Sequence, residues 1–345
     1  MKKIGLIIGK FLPIHNGHLF FINKAATQMD KLVVIVDENP VADKKIAEKA
    51  GIKYPDLLTR TKWMTSIFKD VEHVEVLAMS EEGISEPPHG WKEWSDRVKE
   101  TTKDFGITHI YTSDISYKEG YEKYFPEWEH IFFDNDRTAT DGISATQVRA
   151  NLPEYWGKLP SVVRAFYTKK ICLIGGESTG KTTLTRAMAK AFGTSWSEEY
   201  GRVYCEEELG KYYDRNGFIL TDKSDYEKIV IEQEHQNEKA FRTANVFTLI
   251  DTDAIYTQYF HEKQFGEKSA LIEQMINRQK EEYIYIFLSG DSKFVDDGFR
   301  TGHSRDEVKD YYKQYIDFDY EIDGKSYEER FDQIYELLKG EIWGK

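Results

Sequence analysis

The most specific chemical signal in this 345-residue chain is a glycine-rich turn in its second half. An apolar run at 171–174 precedes the turn, and a helix-forming run at 184–191 follows it. The spacing is G-x-x-x-x-G-K-[ST], in which backbone N–H groups surround a polyphosphate at a helix N-terminus. Lys181 can reach the β- and γ-phosphates, and Thr182 can bind Mg²⁺. The other residues expected to bind ATP here are Gly175, Gly176, Glu177, Ser178, Thr179, Gly180 and Thr183. A chance glycine-rich turn is the alternative, but the flanking strand and helix patterns favour a nucleoside triphosphate site.

A second turn, near the N-terminus, carries two histidines three residues apart. His15 and His18 follow an apolar run at 4–11 that contains Lys10. Both imidazoles can face the crevice above the first strand and donate hydrogen bonds to phosphate oxygens. Metal binding and simple helix capping are alternatives for such a pair. The position at a strand–helix turn, with Lys10 beside it, favours phosphate binding.

A third candidate is the helix start near Ser144. Ser144 and Gln147 have the spacing of a capping box, which any helix can use. The same N-terminus, with Thr146 and Arg149, could instead hold a phosphate group. Taken alone, these residues leave both interpretations open.

The elements that must position these turns alternate along the chain. Apolar runs at 4–11, 31–37, 73–79, 108–111 and 130–133 predict strands buried on both faces, with helical patterns at 18–29, 59–68, 91–105 and 117–124 between them. This alternation predicts a doubly wound α/β domain with its ligand at the carboxyl ends of the strands. A P-loop domain normally opens with its P-loop strand, so the upstream residues should form a separate domain. Further strands are expected at 246–253 and 283–289, and a terminal helix at 326–339.

Composition excludes several classes of protein. The net charge is −13 and no basic block occurs, so we expect no nucleic-acid surface. Two cysteines far apart in sequence, Cys172 and Cys205, suggest no disulfide framework. No apolar run approaches membrane-spanning length and the N-terminus leads directly into a strand, so we expect a cytoplasmic protein with no membrane insertion.

Three ordered motifs carry a family resemblance. The segments GKFLPIHNGH and ISATQVR together resemble the HxGH nucleotidyltransferase superfamily, and with GGESTGKTTL the whole chain resembles the NadR family. Members join a nicotinamide mononucleotide (NMN) adenylyltransferase to a ribosylnicotinamide kinase. The resemblance implies a Rossmann-like domain followed by a P-loop kinase domain, both α/β with three-layer parallel sheets. We expect the first domain at 1–152, a packed linker at 153–168 and the kinase domain at 169–345.

For the first domain, the resemblance implies an ATP site and an NMN site. His15, His18 and Lys10 would stabilise charge at the ATP α-phosphate, while Ser144, Thr146 and Arg149 would hold the departing β- and γ-phosphates. Gly9, Phe11 and Gly17 would also line the ATP site. Trp94 would stack on the nicotinamide ring, with Arg97 nearby, although core packing is an alternative for one of the indoles at 91 and 94. Ser113 and Asp114 are candidates for the adenosine side.

In the second domain, the sequence at 195–202 predicts a strand that ends in Glu198, Glu199 and Tyr200. In the kinases that this domain resembles, the corresponding region supplies a carboxylate near the substrate hydroxyl. Glu199 is therefore the candidate general base, and an exposed acidic strand end is the alternative. Asp251 would bind Mg²⁺ at the end of a Walker-B-like strand. The expected riboside contacts are Tyr200, Arg202 and Asp253. A segment at 295–300 resembles a lid, from which Arg300, with Arg305 as a second candidate, would contact ATP. A solvated loop is the alternative for this segment.

The resemblance implies an enzyme that catalyses two steps and uses ATP and Mg²⁺. Its ligands would be nicotinamide riboside, NMN and NAD. A homo-oligomer is compatible with the sequence. A coenzyme A-type pairing, pantetheine-phosphate adenylyltransferase with dephospho-CoA kinase, is the enzymatic alternative. A nucleotide sensor without turnover is the alternative from another class. Some family members carry an N-terminal helix-turn-helix and repress transcription; because the first strand begins at Ile4, we expect no such role here.

Overall fold

The structure is a computed structural model that describes residues 2–85, 89–133, 142–208, 222–289 and 305–342. The chain forms two compact units, Met1–Val163 and Arg164–Lys345, each built on its own sheet. The division falls within the segment 153–168.

The first unit contains a five-stranded sheet in the order β3-β2-β1-β4-β5. The strands are β1 (Ile4–Gly9), β2 (Lys31–Glu38), β3 (Val74–Ser80), β4 (His109–Thr112) and β5 (Glu129–Phe132). All neighbouring strands are parallel. The chain adds β2 and β3 on one side of β1 and then crosses to β4. This reversal opens a crevice at the carboxyl ends of β1 and β4.

Helices cover both faces of this sheet. They are α1 (Asn16–Ala26), α2 (Pro40–Lys49), α3 (Leu57–Phe68), α4 (Trp91–Thr101), α5 (Lys118–Tyr124) and α6 (Ala145–Ala150). A seventh helix, α7 (Ser161–Tyr167), contains the division between the two units. Helix α3 packs on β2 and β3. On one face, Val98 of α4 and Tyr121 of α5 join the core with Leu6 and Val33. Helix α2 lay outside the expected elements; its start is marked by Asn39, whose side chain accepts from the Ala42 amide.

The second unit contains another five-stranded sheet, in the order β10-β9-β6-β8-β7. The strands are β6 (Lys169–Ile174), β7 (Trp196–Ser197), β8 (Phe247–Asp251), β9 (Tyr283–Leu288) and β10 (Tyr320–Ile322). All neighbours are again parallel. Side chains of β6 alternate between two cores: Cys172 and Ile174 face one, Ile171 and Leu173 the other.

Helices also enclose this sheet. They are α8 (Lys181–Phe192), α9 (Tyr200–Val203), α10 (Lys223–Thr243), α11 (Ala254–Phe265), α12 (Ala270–Gln279), α13 (Arg305–Tyr312) and α14 (Tyr327–Leu337). Helices α10 to α13 pack on one face, and α8 and α14 on the other. The predicted class, two parallel-sheet three-layer α/β domains, is therefore confirmed. No described helix is both long and apolar enough to span a bilayer.

One predicted element is wrong. Residues 198–200 were expected to end a strand, but β7 ends at Ser197 and Tyr200 begins α9. Glu199 is therefore the N-cap residue of a short helix rather than part of the sheet.

Candidate active sites

The two histidines form the N-terminal cap of α1, directly beyond β1. His15 Nδ1 accepts from the Gly17 amide at 3.1 Å, and His18 Nδ1 accepts from the His15 amide at 3.4 Å. The rings stack with centroids 3.7 Å apart, and the Phe11 ring lies edge-on to His18 at 5.1 Å. Because both Nδ1 atoms accept backbone N–H groups, a neutral ring carries its proton on Nε2. That tautomer can donate a hydrogen bond to a phosphate oxygen.

Helix α6 is attached to the same turn. Arg149 donates from Nη1 to the Leu12 carbonyl at 2.6 Å and from Nη2 to Thr146 Oγ1 at 3.1 Å. Ser144 and Gln147 form the capping box, in which Ser144 Oγ accepts from the Gln147 amide at 3.2 Å. The capping interpretation is thus correct, and Arg149 also joins the two motifs of this unit.

Lys10 projects from the end of β1 toward a buried carboxylate. Its Nζ contacts Asp43 Oδ1 at 2.7 Å. Burial opposes the charge on Lys10, but the bond to Asp43 raises its pKa. Asp43 Oδ2 contacts Arg60 at 3.1 Å, and Arg60 also binds Glu38 at 2.9 Å and the Lys10 carbonyl. The fully buried Arg60 therefore holds the ends of β1 and β2 together.

Trp94 and Arg97 project from α4 near the ends of β2 and β3. The Trp94 indole N–H donates to Asp37 Oδ2 at 3.3 Å, and its ring is parallel to Tyr121 with centroids 6.2 Å apart. Burial and the charge of Glu81 raise the pKa of Asp37. Arg97 Nη1 donates to the carbonyls of Ser80 and Glu82. Trp94 thus packs on the core, while its indole edge faces the carboxylate of Asp37, which lies near Lys10.

Asp114, a candidate for the adenosine side, caps a short 3₁₀ turn.

The glycine-rich turn of the second unit connects β6 to α8. Lys181 is buried, and its Nζ donates to the carbonyls of Gly175 and Gly176, each at 2.9 Å. Gly175 has φ +144°, and a Cβ there would lie 2.8 Å from the Leu288 carbonyl oxygen, so only glycine fits. Thr179 Oγ1 donates to the Gly176 carbonyl at 2.9 Å and so stabilises the turn itself. Thr183 is exposed, whereas Glu177, Ser178, Gly180 and Thr182 are partly buried.

Asp251 ends β8, next to this turn. Its side chain is buried, and Oδ2 has no hydrogen-bond partner among the described residues. Burial raises the Asp251 pKa, while Lys181 and the Thr182 hydroxyl lower it. One carboxylate and one hydroxyl, completed by phosphate and water oxygens, suit Mg²⁺ in a P-loop site. The described ranges contain no group of three or more His, Cys, Asp or Glu side chains that could hold a metal ion.

Glu199 faces this carboxylate from α9. Burial and the charge of Asp251 raise the Glu199 pKa to about 7, against the opposing charges of Lys181 and Arg202. Its side chain makes no cap hydrogen bond. Glu198, by contrast, forms an ion pair with Arg186 at 2.9 Å and accepts from the Trp196 indole at 3.1 Å. Of the two adjacent acids, only Glu199 has the environment of a general base.

Asp253 caps α11 two residues after Asp251. Its Oδ1 accepts from the Tyr256 amide at 3.2 Å and the Tyr312 hydroxyl at 2.7 Å. Burial raises its pKa to about 6. Thr252, between the two aspartates, has φ +75°, a strained value for a β-branched residue. Asp251, Asp253 and Glu199 thus lie at or just beyond the carboxyl ends of the neighbouring strands β8 and β7, with Tyr200 and Arg202 in the first turn of α9.

Sequence comparison agrees with this two-unit arrangement. Residues 6–151 match a family model described as Cytidylyltransferase-like, and residues 170–328 match one described as AAA domain. The Trifunctional NAD biosynthesis/regulator protein NadR of Escherichia coli (strain K12) is 30% identical over 348 residues, which cover 98% of this chain and 83% of that protein. Its counterpart from Salmonella typhimurium is 32% identical over 303 residues, covering 87% of this chain and 72% of that protein.

This chain belongs to the NadR family. Two solved NadR structures share the fold of the whole chain. One, in complex with NR, has a TM-score of 0.79 at 23% identity and covers 100% of this chain and 97% of its own. The other, in complex with NAD and AMP-PNP, has a TM-score of 0.75 at 23% identity and covers 98% of this chain and 96% of its own.

One expected site residue of this NadR-family chain, Arg300, lies outside the described residues, as does the segment at 295–300. Arg305 lies in α13, where its Nε donates to the Glu177 carbonyl at 3.3 Å. Residues that sequence reasoning missed include Arg330 of α14, which donates from Nη1 to the Thr179 carbonyl at 2.7 Å, and Gln233 of α10. Neither belongs to a motif, and each reaches its site from a distant part of the chain.

Proposed function

We propose that this chain makes NAD from nicotinamide riboside in two successive reactions that each consume ATP. The second unit phosphorylates the riboside 5′-hydroxyl to give NMN, and the first unit joins NMN to AMP with release of pyrophosphate. One observation carries the proposal: each unit has its own phosphate-binding turn and cationic side chains at the carboxyl ends of its central strands.

In the phosphorylation, Glu199 accepts the proton of the 5′-hydroxyl as its oxygen bonds to the γ-phosphorus and the bond to ADP breaks. Lys181 exchanges its bonds to the turn carbonyls for bonds to the β- and γ-phosphates. Thr182 and Asp251 would hold Mg²⁺, which neutralises phosphate charge when bound. Arg202, whose charge acts on Glu199, would orient the riboside together with Tyr200 and Asp253, and the buried Asp253 carboxylate would accept from ribose hydroxyls.

In the adenylyl transfer, a phosphate oxygen of NMN attacks the α-phosphorus of ATP and pyrophosphate leaves. No protein nucleophile is required, so the residues act by positioning and electrostatic stabilisation. His15 and His18 donate from Nε2 to phosphate oxygens, and Lys10 adds charge from the side of β1. Arg149, with Ser144 and Thr146, would hold the departing phosphates. Trp94, with Arg97, would hold the nicotinamide ring, and the bond from the Trp94 indole N–H to Asp37 would fix the orientation of the indole.

A product assay tests this proposal. Incubation with nicotinamide riboside and MgATP should give NMN first and NAD second, with ADP and pyrophosphate released in turn. Phosphopantetheine and dephospho-CoA, offered in parallel, should not react. Reaction of those two alone would establish the coenzyme A-type pairing, and binding of nucleotides without any product would indicate a sensor. We further propose a cytoplasmic location, which cell fractionation would test.

A further inference from the structure

We infer that Gln233 is a positioning residue for the kinase reaction, because its side-chain amide fixes the turn that carries Glu199. The inference rests on the proposed phosphorylation with Glu199 as base. Gln233 lies on α10 and is 5% exposed. Its Nε2 donates to the Glu198 carbonyl at 3.0 Å and to Ser197 Oγ at 3.1 Å, and its Oε1 accepts from the Tyr200 amide at 2.7 Å. One side chain thus bonds the backbone on both sides of Glu199.

The turn has little stability of its own. Strand β7 has two residues and, among the described residues, pairs with β8 alone, at the edge of the sheet. Helix α9 has four residues and continues directly into a single π-helical turn at Tyr204–Glu208. An isolated helical segment that short is unstable in water. External bonds must therefore hold the backbone of Glu199, and Gln233 supplies two of them directly.

Glu199 itself does not fix this turn. An N-cap side chain ordinarily accepts the backbone N–H of the second or third helical residue, but the Glu199 side chain makes no such bond. The N–H of the first helical residue, Tyr200, is bonded to Gln233. The backbone position of Glu199 therefore depends on contacts from other elements, such as those of Gln233.

The orientation of the Gln233 amide is fixed from behind. Its Nε2 also contacts Asn237 Oδ1 at 3.0 Å, and Asn237 Nδ2 donates to the Tyr283 hydroxyl at 3.1 Å. Three acceptors around Nε2 leave Oε1 as the atom that faces the Tyr200 amide. Asn237 is fully buried, so water does not compete for its bond to Gln233.

A set of four variants tests the inference. Gln233→Met retains the side-chain length but removes the amide. Gln258→Met is the matched control, since Gln258 is another buried glutamine of this unit, and its amide donates to Glu273 rather than to the turn. Glu199→Gln and the double variant complete the set. We expect Gln233→Met to lower the kinase kcat about tenfold to a hundredfold, the scale of a misplaced catalytic group. The KM for ATP and the adenylyl transfer rate should change little, and Gln258→Met should retain kcat within about threefold.

The double variant separates positioning from loss of stability. If Gln233 acts through Glu199, adding Gln233→Met to Glu199→Gln should lower kcat by less than about threefold more. Full multiplication of the two effects, or a Gln233→Met kcat within about twofold of the unmodified protein, would overturn the inference. A normal kcat for Glu199→Gln would overturn it as well, because no base would then need positioning.

Hydrogen exchange gives a readout that does not depend on activity. In Gln233→Met, but not in Gln258→Met, amides at 196–204 should exchange faster, and unchanged exchange would contradict the inference. If the unmodified protein phosphorylates no riboside, the proposed function fails, and this measurement alone decides whether Gln233 holds the turn. Should Gln233→Met not fold by circular dichroism, Gln233→Glu retains the size and the acceptor. It should still lower kcat about tenfold, because the donor to the Glu198 carbonyl is lost.

Discussion

Glu198 and Glu199 are neighbours in the chain, yet their carboxylates occupy opposite electrostatic environments. Hydrogen bonds from Arg186 and Trp196 lower the Glu198 pKa. Burial, with the charge of Asp251, raises the Glu199 pKa to about 7. A group that titrates near neutrality can both accept and release a proton at working pH, whereas an ion-paired carboxylate cannot.

This difference predicts the pH dependence of the kinase. The Glu199 pKa is raised, to about 7, and the residue acts as a base only when deprotonated. The kcat/KM for the riboside should therefore fall as the pH decreases through that value, by about tenfold for each further pH unit. Glu199→Gln should lower the rate about 10²–10⁴-fold and abolish this acidic limb. A rate in the unmodified protein that stays constant well below neutrality would exclude Glu199 as the base.

Arg330 is a buried cation in contact with the phosphate-binding turn of the second unit. It is 3% exposed, and it donates to the carbonyls of Thr179 and Ser326. Burial and the charge of Arg305 lower its pKa. No carboxylate pairs with it in the described part of the chain. We therefore expect a bound anion, such as the phosphates of ATP, to balance the buried positive charge of Arg330 beside the phosphate-binding turn.

Removal of that charge should weaken ATP binding. Arg330→Met should raise the kinase KM for ATP about tenfold or more, the usual cost of losing a charged hydrogen bond. Arg330→Lys should restore part of the affinity, since it keeps the charge but not the guanidinium geometry. Arg278→Met is the control and should leave the KM unchanged, because Arg278 pairs with Glu234 and Glu238 rather than with the phosphate-binding turn. An Arg330→Met variant with normal KM but a lower melting temperature would reduce Arg330 to a structural role.

At the scale of elements, the N-terminal cap of helix α1 depends on the close approach of the His15 ring to Gly17. A Cβ on Gly17 would lie 2.9 Å from the His15 ring and 2.9 Å from Ile143 Cγ2. Gly17→Ala should therefore displace the histidine cap and lower adenylyl transfer about tenfold to a hundredfold, with the kinase step unaffected. Gly157→Ala is the control, because nothing lies within 4 Å of a Cβ at that position. Equal rates for the two alanine variants would show that the histidines tolerate the displacement.

Elements defined by local sequence patterns could be predicted, whereas features that depend on contacts between distant residues could not. Strands β1, β2, β6 and β9 were predicted within one or two residues, because a buried parallel strand has a continuous apolar run. The segment at 198–200 was misread, since two acids after a tryptophan carry no local signal that distinguishes an edge strand from a helix cap. Gln233 and Arg330 were not predicted as functional residues, because their hydrogen-bond partners are distant in sequence. Arg330, for example, binds the Thr179 carbonyl across 151 residues. Gln233 lies within the acidic sequence of α10, which contains no recognisable motif.

At the scale of the whole molecule, we propose that the two units fold and act separately. Helix α7 (Ser161–Tyr167) spans the division between them, so test pieces should both contain it. Residues 1–167 should adenylylate NMN, and residues 161–345 should phosphorylate the riboside. Circular dichroism should show each piece folded. Folded but inactive pieces would mean that a site needs both units.

The central claim is that one chain contains two separate chemistries acting in sequence. Lys181→Ala should lower the kinase rate at least about a hundredfold by removing a charge-stabilising group, yet still convert supplied NMN to NAD. His18→Ala should form NMN from the riboside and stop there.

The most direct test is to follow NAD formation from nicotinamide riboside and MgATP with each variant alone and with the two mixed. Each variant alone should make almost no NAD, and the mixture should make it, because NMN released by one protein is used by the other. Equal loss of both reactions in either variant, or a mixture that stays inactive although each variant performs its remaining step, would contradict the account.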